Sequence, residues 1–342
     1  MDYSIVKHGT YKENEYVLIQ ITNNDVVISF TNFGARINQW KIGSDNLVLG
    51  FDNPKQAAKG RGYYYGATIG RIAGRISNGK FSIDGKDYQL PLNEGDNHLH
   101  GGPNGFDLKY WDYEITQSDS AISITFSLSD QDGENGFPGK LEAQVIHTYT
   151  IDNEWIVIFK ATSDKDTLFN PTNHVYFNLN GTHTKPILNH HLMIEADKYV
   201  PVKADGTPVG ELASVEGTAF DVREGKLIGE QFKINDAQVE LKKGFDHPFV
   251  LQEDASDTPI VLAVPDLNRR IEVSTDRESV VVYTHSVVSP PMSIWGEELQ
   301  QYAGVTLETQ TIPDAVNHDA FGNDILRKDT TFESTTTYKL VY

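Results

Sequence analysis

The chain has 342 residues, 39% hydrophobic and 23% charged, which is long enough to bury a large core and too apolar for a disordered protein. Its net charge of −19 disfavours nucleic acid and anionic membranes as partners, because both repel an acidic surface. The absence of cysteine excludes disulfides and thiolate metal sites and fits a cytoplasmic setting. No signal-peptide pattern opens the chain, and no apolar run approaches the roughly 18 residues of a membrane span.

The hydrophobic period is 2 from the start. "EYVLIQITNNDVVISFTNFGARINQW" (15–40) predicts three strands joined by an Asn-Asn-Asp turn and an Asn-Phe-Gly turn. "NPKQAAKG" from Asn53 is at most a short helix, and convincing helical patterns are scarce elsewhere. "GRIAGRISNGKF" (70–81) then places Arg71 and Arg75 among small residues. An arginine there can present a forked donor to a ligand oxygen, or it can be an ordinary ion-paired side chain.

"NEGDNHLHGG" (93–102) follows a turn at Ile83 to Tyr88. On a strand, His98 and His100 would point the same way, as a metal pair or as contacts to a polar ligand. No third ligand with suitable spacing accompanies them. "AISITFSLSD" (121–130) alternates Ile122, Ile124, Phe126 and Leu128 with polar residues, a half-buried strand. "EWIVIFKATS" (154–163) is a β-branched and aromatic run of strand length beyond the turn-rich "DGENGFPGK" (132–140).

"NPTNHVYFNLNG" (170–181) packs Asn170, Asn173 and Asn178 around His174 inside an otherwise apolar run. Buried amides must find partners, so the asparagines could frame His174 and choose its tautomer. Alternatively "NPTN" is turn chemistry that His174 caps. The stretches Gly95 to Phe106 and Pro201 to Gly229 are dense in turn residues and predict long loops. "GFDHPF" (244–249) holds Asp246 and His247 between aromatics, and "ESVVVYTHS" (278–286) predicts another strand. Finally, "GVTLETQTIPDAVNH" (304–318) carries Glu308 on a predicted strand. It is either an exposed edge carboxylate or an inward functional one. No repeat or linker divides the chain, so residues 1–342 are read as one all-β domain, a sandwich or barrel. A histidine, a glutamate and an arginine, without a phosphate loop, suit proton transfer on a neutral polar substrate.

"LHGG" (99–102), "NPTNHVYFNL" (170–179), "GFDHPF" and "GVTLETQ" (304–310) occur in the order found in the aldose 1-epimerase, or galactose mutarotase, family, which the chain resembles from about residue 30 to 310. "FTNFGARI", "AGRISNGKF" and "DGENGFPG" are similar as well. The resemblance implies a large antiparallel β-sandwich with an open sugar cleft, and interconversion of the α and β anomers of a free aldose. It implies Glu308 as the base that takes the C1 hydroxyl proton and His174 as the acid that protonates the ring oxygen. It also implies Arg75, His100 and Asp246 as holders of sugar oxygens, with His98 and His247 beside them, and no metal or cofactor. The substrate would be a monosaccharide or a disaccharide. Many relatives carry Asn where this chain has Gly74, which puts one ligand contact in question. Reference pKa values leave Glu308 ionised at rest and His174 titrating near neutrality.

Three other readings compete. Glycoside hydrolases flank the scissile bond with two carboxylates, whereas the matched pair here is His and Glu. A hexose-6-phosphate epimerase should show extra basic residues, and the chain has 29 Lys and Arg against 48 Asp and Glu. A non-catalytic sugar-binding relative should have lost His174 or Glu308, and both are present.

Overall fold

The structure is a computed structural model describing residues 1–342, apart from the side chain of His8. Strands dominate, and the large sheets are antiparallel throughout. The first is a five-stranded meander of Asp2–Tyr11, Asn14–Asn23, Val26–Thr31, Arg36–Ile42 and Asp45–Asn46. The three strands expected between residues 15 and 40 are its middle members.

A nine-stranded sheet forms the bulk of the molecule. Its four consecutive strands Asp112–Gln117, Ala121–Asp130, Leu141–Thr150 and Glu154–Ser163 continue through the C-terminal strand Thr331–Val341. They are followed by Arg269–Thr275, Ile260–Val264, His191–Ile194 and Lys226–Leu227. Alternation decides which face is buried. In Leu141–Thr150 the residues Leu141, Ala143, Val145, His147 and Tyr149 are buried, and the residues between them are not.

Inward faces of the meander and of the nine-stranded sheet meet in one apolar cluster. Trp155 is its centre, with ring centroids 6.0 Å from Phe30, 5.9 Å from Trp40 and 4.9 Å from Tyr338. Residues of a third sheet, Phe249, Val280 and Val282, join the same cluster.

That third sheet has the order Ala213–Ser214, Lys198–Tyr199, Asp246–Val250, Ser279–Tyr283, Glu308–Gln310. Its last three strands are in register as Asp246 opposite Tyr283, Pro248 opposite Val281, and Val281 opposite Glu308. Because side chains alternate with period 2, Asp246, Pro248, Val281, Tyr283, Glu308 and Gln310 share one face. Their neighbours Phe249, Val280 and Val282 enter the core.

Helix is confined to short pieces. Pro54–Lys59 lies where "NPKQAAKG" predicts one and is capped by Asn53, whose side chain accepts from the Gln56 amide. Ala237–Lys242, also six residues, is capped in the same way by Asp236 but lacks the proline that marks the start of Pro54–Lys59. The helix periodicity needs a longer window to show. Among the described residues, no helix is long and apolar enough to cross a membrane.

Candidate active site

A cleft of about 450 Å³ opens over the third sheet. The face that carries Asp246, Tyr283, Glu308 and Gln310 forms one wall. Arg75, Leu99, His174 and Tyr176, which also line the cleft, lie on or beside short paired segments. Arg75–Ile76 pairs with His98–Leu99, Thr172–Asn173 with Thr68–Ile69, and Tyr176–Phe177 with Val305–Thr306. Arg75, His100, His174, Asp246 and Glu308, far apart in sequence, all line this cleft.

His174 and Glu308 lie at its floor, 5% and 2% exposed. The Nε2 of His174 is 3.4 Å from Oε1 of Glu308, and that oxygen also accepts from the Thr306 hydroxyl at 2.9 Å. Burial pushes the His174 imidazole down to about 3 and the Glu308 carboxyl up to about 8. The ionisation expected from reference values is therefore reversed. Around neutrality His174 is neutral and Glu308 holds the proton, because each charged form would be stripped of water. The proton count is unchanged: the pair carries one proton between the two limits.

The asparagines of "NPTNHVYFNL" neither frame the imidazole nor form a turn that His174 caps. The Asn170 amide donates to the Thr311 carbonyl at 2.9 Å, and its oxygen accepts from the Thr311 amide at 3.0 Å and from Arg277 Nη2 at 2.8 Å. Thr172 Oγ1 donates to the Thr309 carbonyl at 3.0 Å. Asn173 donates to the Gly66 carbonyl, and Asn178 to those of Lys185 and Ala303. Asn170 and Thr172 thus replace main-chain ladder bonds and fasten the His174 segment to the strand of Glu308. His174 is held by its own backbone, bonded to Gly66 and Ala67, and by the Tyr176 ring at 5.1 Å and the Tyr64 ring at 5.6 Å.

Arg75 forms a two-pronged pair with Glu94, Nε to Oε2 at 2.7 Å and Nη2 to Oε1 at 2.6 Å. Its guanidinium lies against the backbone of Gly206, where an added Cβ would stand 2.6 Å from Cζ. Arg71, the other candidate in that segment, is 1% exposed and fully engaged by Asp130 and the carbonyls of Pro138, Asp130 and Gln131. It holds a turn together and does not line the cleft.

The two histidines of "HLH" part company. His100 has φ +50, so it is not on a regular strand, and its ring meets those of Tyr64 and His174 at 4.8 and 5.1 Å. Its Nδ1 accepts from the Gly74 amide at 3.1 Å, which leaves the proton on Nε2. His98 turns inward, with Nδ1 bonded to the Pro91 carbonyl and its ring against Phe137. Among the described residues, no group of three or more His, Cys, Asp or Glu side chains is placed to hold a metal ion.

Asp246 is partly buried and 3.1 Å from Lys242 Nζ. Burial alone would raise its carboxyl, but the charges of Arg75 and Lys242 outweigh that and hold it below the ordinary range. His247 lies behind it. Its Nδ1 accepts from the Asp246 amide at 3.0 Å, and Nε2 meets Gln238 Oε1 at 3.0 Å. Gly74, with φ +74, packs so closely on Pro313 that an added Cβ would lie 2.6 Å from its ring carbons. A side chain at this position would require the Pro313 ring to shift.

Sequence reasoning missed Tyr64, Glu94, Lys242, Tyr283 and Gln310 as cleft residues. One of these had a usable signal. Gln310 is two residues beyond Glu308 on a strand, hence on the same face.

The sequence matches the aldose 1-epimerase family model over residues 17–339. It is 35% identical over 336 residues to the aldose 1-epimerase of Escherichia coli (strain K12), covering 95% of each chain. It is 35% identical to the galactose mutarotase of Rattus norvegicus over 94% of this chain and 92% of that one. The crystal structure of galactose 1-epimerase from Lactobacillus acidophilus NCFM superposes with a TM-score of 0.90 at 32% identity, covering 99% of this chain and 98% of the other.

Proposed function

Because the chain belongs to the aldose 1-epimerase family, we propose that it interconverts the α and β anomers of a free monosaccharide such as galactose or glucose, by ring opening and closure at His174 and Glu308. The observation that carries this reading is a buried imidazole and a buried carboxyl 3.4 Å apart on the floor of a cleft of about 450 Å³. Ring opening requires one proton to leave the C1 hydroxyl and one to reach the ring oxygen. Glu308 takes the first and His174 supplies the second. The C1–O5 bond breaks and C1 becomes a carbonyl carbon. Rotation about C1–C2 turns its other face to the O5 hydroxyl, and closure returns both protons.

The pair enters and leaves this cycle with one proton. Burial places that proton on Glu308 at rest, and the short gap lets it cross to His174 Nε2. A hydrogen bond from the C1 hydroxyl to the emerging carboxylate favours the crossing. The step needs neither metal nor cofactor, since each transfer is made by a side chain.

Arg75, His100 and Asp246 are the proposed holders of the sugar. The free Nε2–H of His100 and the Arg75 guanidinium donate to hydroxyl oxygens, and Asp246 accepts from a hydroxyl. Two of the cationic side chains that line the cleft are already matched by carboxylates, Arg75 by Glu94 and Lys242 by Asp246. This pairing supports a neutral sugar over a phosphorylated one.

Polarimetry on freshly dissolved α-galactose, α-glucose, α-xylose and maltose tests the proposal. The protein should accelerate the approach to anomeric equilibrium for at least one of them. No acceleration for any member of the panel would overturn the reading.

A further inference from the structure

We propose that Lys242 is a further substrate-binding residue, which acts with Asp246 as a paired donor and acceptor that reads two adjacent hydroxyls of the sugar ring. The inference rests on the reading above and names a contact for which the sequence motifs give no role.

Four observations support it. Lys242 Nζ lies 3.1 Å from Asp246 Oδ2, with the two side chains only 12% and 23% exposed, and both residues line the cleft. An ammonium has three protons and a carboxylate about four lone-pair sites, so one mutual contact leaves each with capacity for a ligand. A hydroxyl that donates to Asp246 beside one that accepts from Lys242 would take up one free position of each. Such a pair of neighbours is what a sugar ring presents.

The second observation is the placement of the pair. Asp246 is on the strand two removed from that of Glu308, with Ser279–Tyr283 between them. Two strand spacings with a two-residue offset along the strands amount to roughly 12 Å between the two backbone positions. That span holds a six-membered ring whose anomeric edge meets Glu308 and whose hydroxyls extend towards Asp246.

Third, Lys242 is not left to wander. It ends the helix Ala237–Lys242, and Gln238 of the same helix accepts from the Val202 amide at 2.8 Å and contacts His247 Nε2 at 3.0 Å. His247 in turn bonds the Asp246 amide. The helix that carries the ammonium is therefore tied to the residue that carries the carboxylate. The fourth observation is that an ordinary surface ion pair would be solvated, and this one is largely shielded.

The test is calorimetric titration of the full-length protein and its Lys242→Met and Lys242→Arg variants. The ligands are galactose, glucose and their 2-, 3- and 4-deoxy derivatives. Lys242→Met should weaken binding of the parent sugars roughly 10- to 100-fold, as expected for loss of a charged hydrogen bond. The deficit should vanish for the deoxy sugar that lacks the hydroxyl read by Lys242, and Lys242→Arg should recover part of it. In turnover, Lys242→Met should raise KM far more than it lowers kcat, the sign of a contact made equally in ground and transition states. Equal affinities for wild type and Lys242→Met, or a deficit of the same size for every deoxy sugar, would overturn the proposal. Sugar binding by a wild type that shows no polarimetric activity would end the epimerase reading and leave the Lys242 result decisive. A wild type that binds none of these sugars would overturn both.

Discussion

The floor of the cleft and its rim handle charge in opposite ways. At the floor, His174 and Glu308 are almost wholly buried with no full counter-charge, and each is pushed towards its neutral form, the carboxyl up to about 8 and the imidazole down to about 3. At the rim, Arg75 is matched by Glu94 and Asp246 by Lys242, and these charges hold the Asp246 carboxyl below the ordinary range. Desolvation holds both floor groups towards their neutral forms, so the pair rests with a single shared proton that a substrate hydroxyl can redistribute. A hydroxyl that must be recognised needs fixed donors and acceptors, and pairing supplies those. The same residue types therefore do different work according to what surrounds them.

The largest effect should come from removing the floor's proton. Glu308→Gln keeps the shape and should lower kcat by at least about 10²-fold, the low end for loss of general acid–base catalysis. Near-normal turnover in stopped polarimetry would erase the distinction between floor and rim. The same variant should be more stable than wild type at pH 8. A carboxyl raised from 4.5 to about 8 binds more protons folded than unfolded, so its contribution to stability falls as pH rises through that window. Replacing it should lift the melting temperature by roughly a few degrees at pH 8 and by little at pH 4.5.

His174→Gln should also lower activity by roughly 10²-fold, and its pH profile sharpens the comparison. Wild-type kcat/KM should be bell-shaped, with an acid limb towards about 3 and an alkaline limb near 8, both belonging to the pair. Without the imidazole, Glu308 must ionise alone before it can accept a proton. Residual activity of the variant should then increase with pH through the alkaline range where wild type declines. A wild-type alkaline limb retained in His174→Gln would mean that another group carries the proton.

A smaller effect is expected at the rim. Glu94→Gln leaves Arg75 charged but removes the two-pronged pair that aims it, and should raise KM roughly 3- to 10-fold, equivalent to about 1 kcal/mol of lost aim, with kcat little changed. A kcat loss as large as that of Glu308→Gln would place the rim in the chemistry. The smallest effect is none at all: dialysis against EDTA should leave activity as it was. Loss of activity restored by zinc or manganese would return His98 and His100 to consideration as ligands.

Much of this molecule is legible from sequence, for a physical reason. Strands buried on one face, such as Leu141–Thr150, must alternate, and alternation is visible in a single chain. The five candidate cleft residues were found by motif, and the cleft contains all five. Their environment was not visible. Nothing in "LETQ" says that Glu308 is 2% exposed, and burial, the largest cause, pushes both Glu308 and His174 towards their neutral forms against the reference values. The role of the asparagines was hidden too, because Asn170 bonds across 141 residues to Thr311. Arg71 and Arg75 look alike in sequence, and only the fold separates a buried structural clamp from a cleft residue.

Gly74 has a consequence for how this edge of the cleft responds to substitution. Its backbone, at φ +74, is one that asparagine tolerates better than most side chains. The obstacle to a side chain here is therefore the Pro313 ring, 2.6 Å from where a Cβ would be. Any residue larger than glycine at position 74 must push that ring aside, so a change beside Arg75 is transmitted to the segment that follows Glu308.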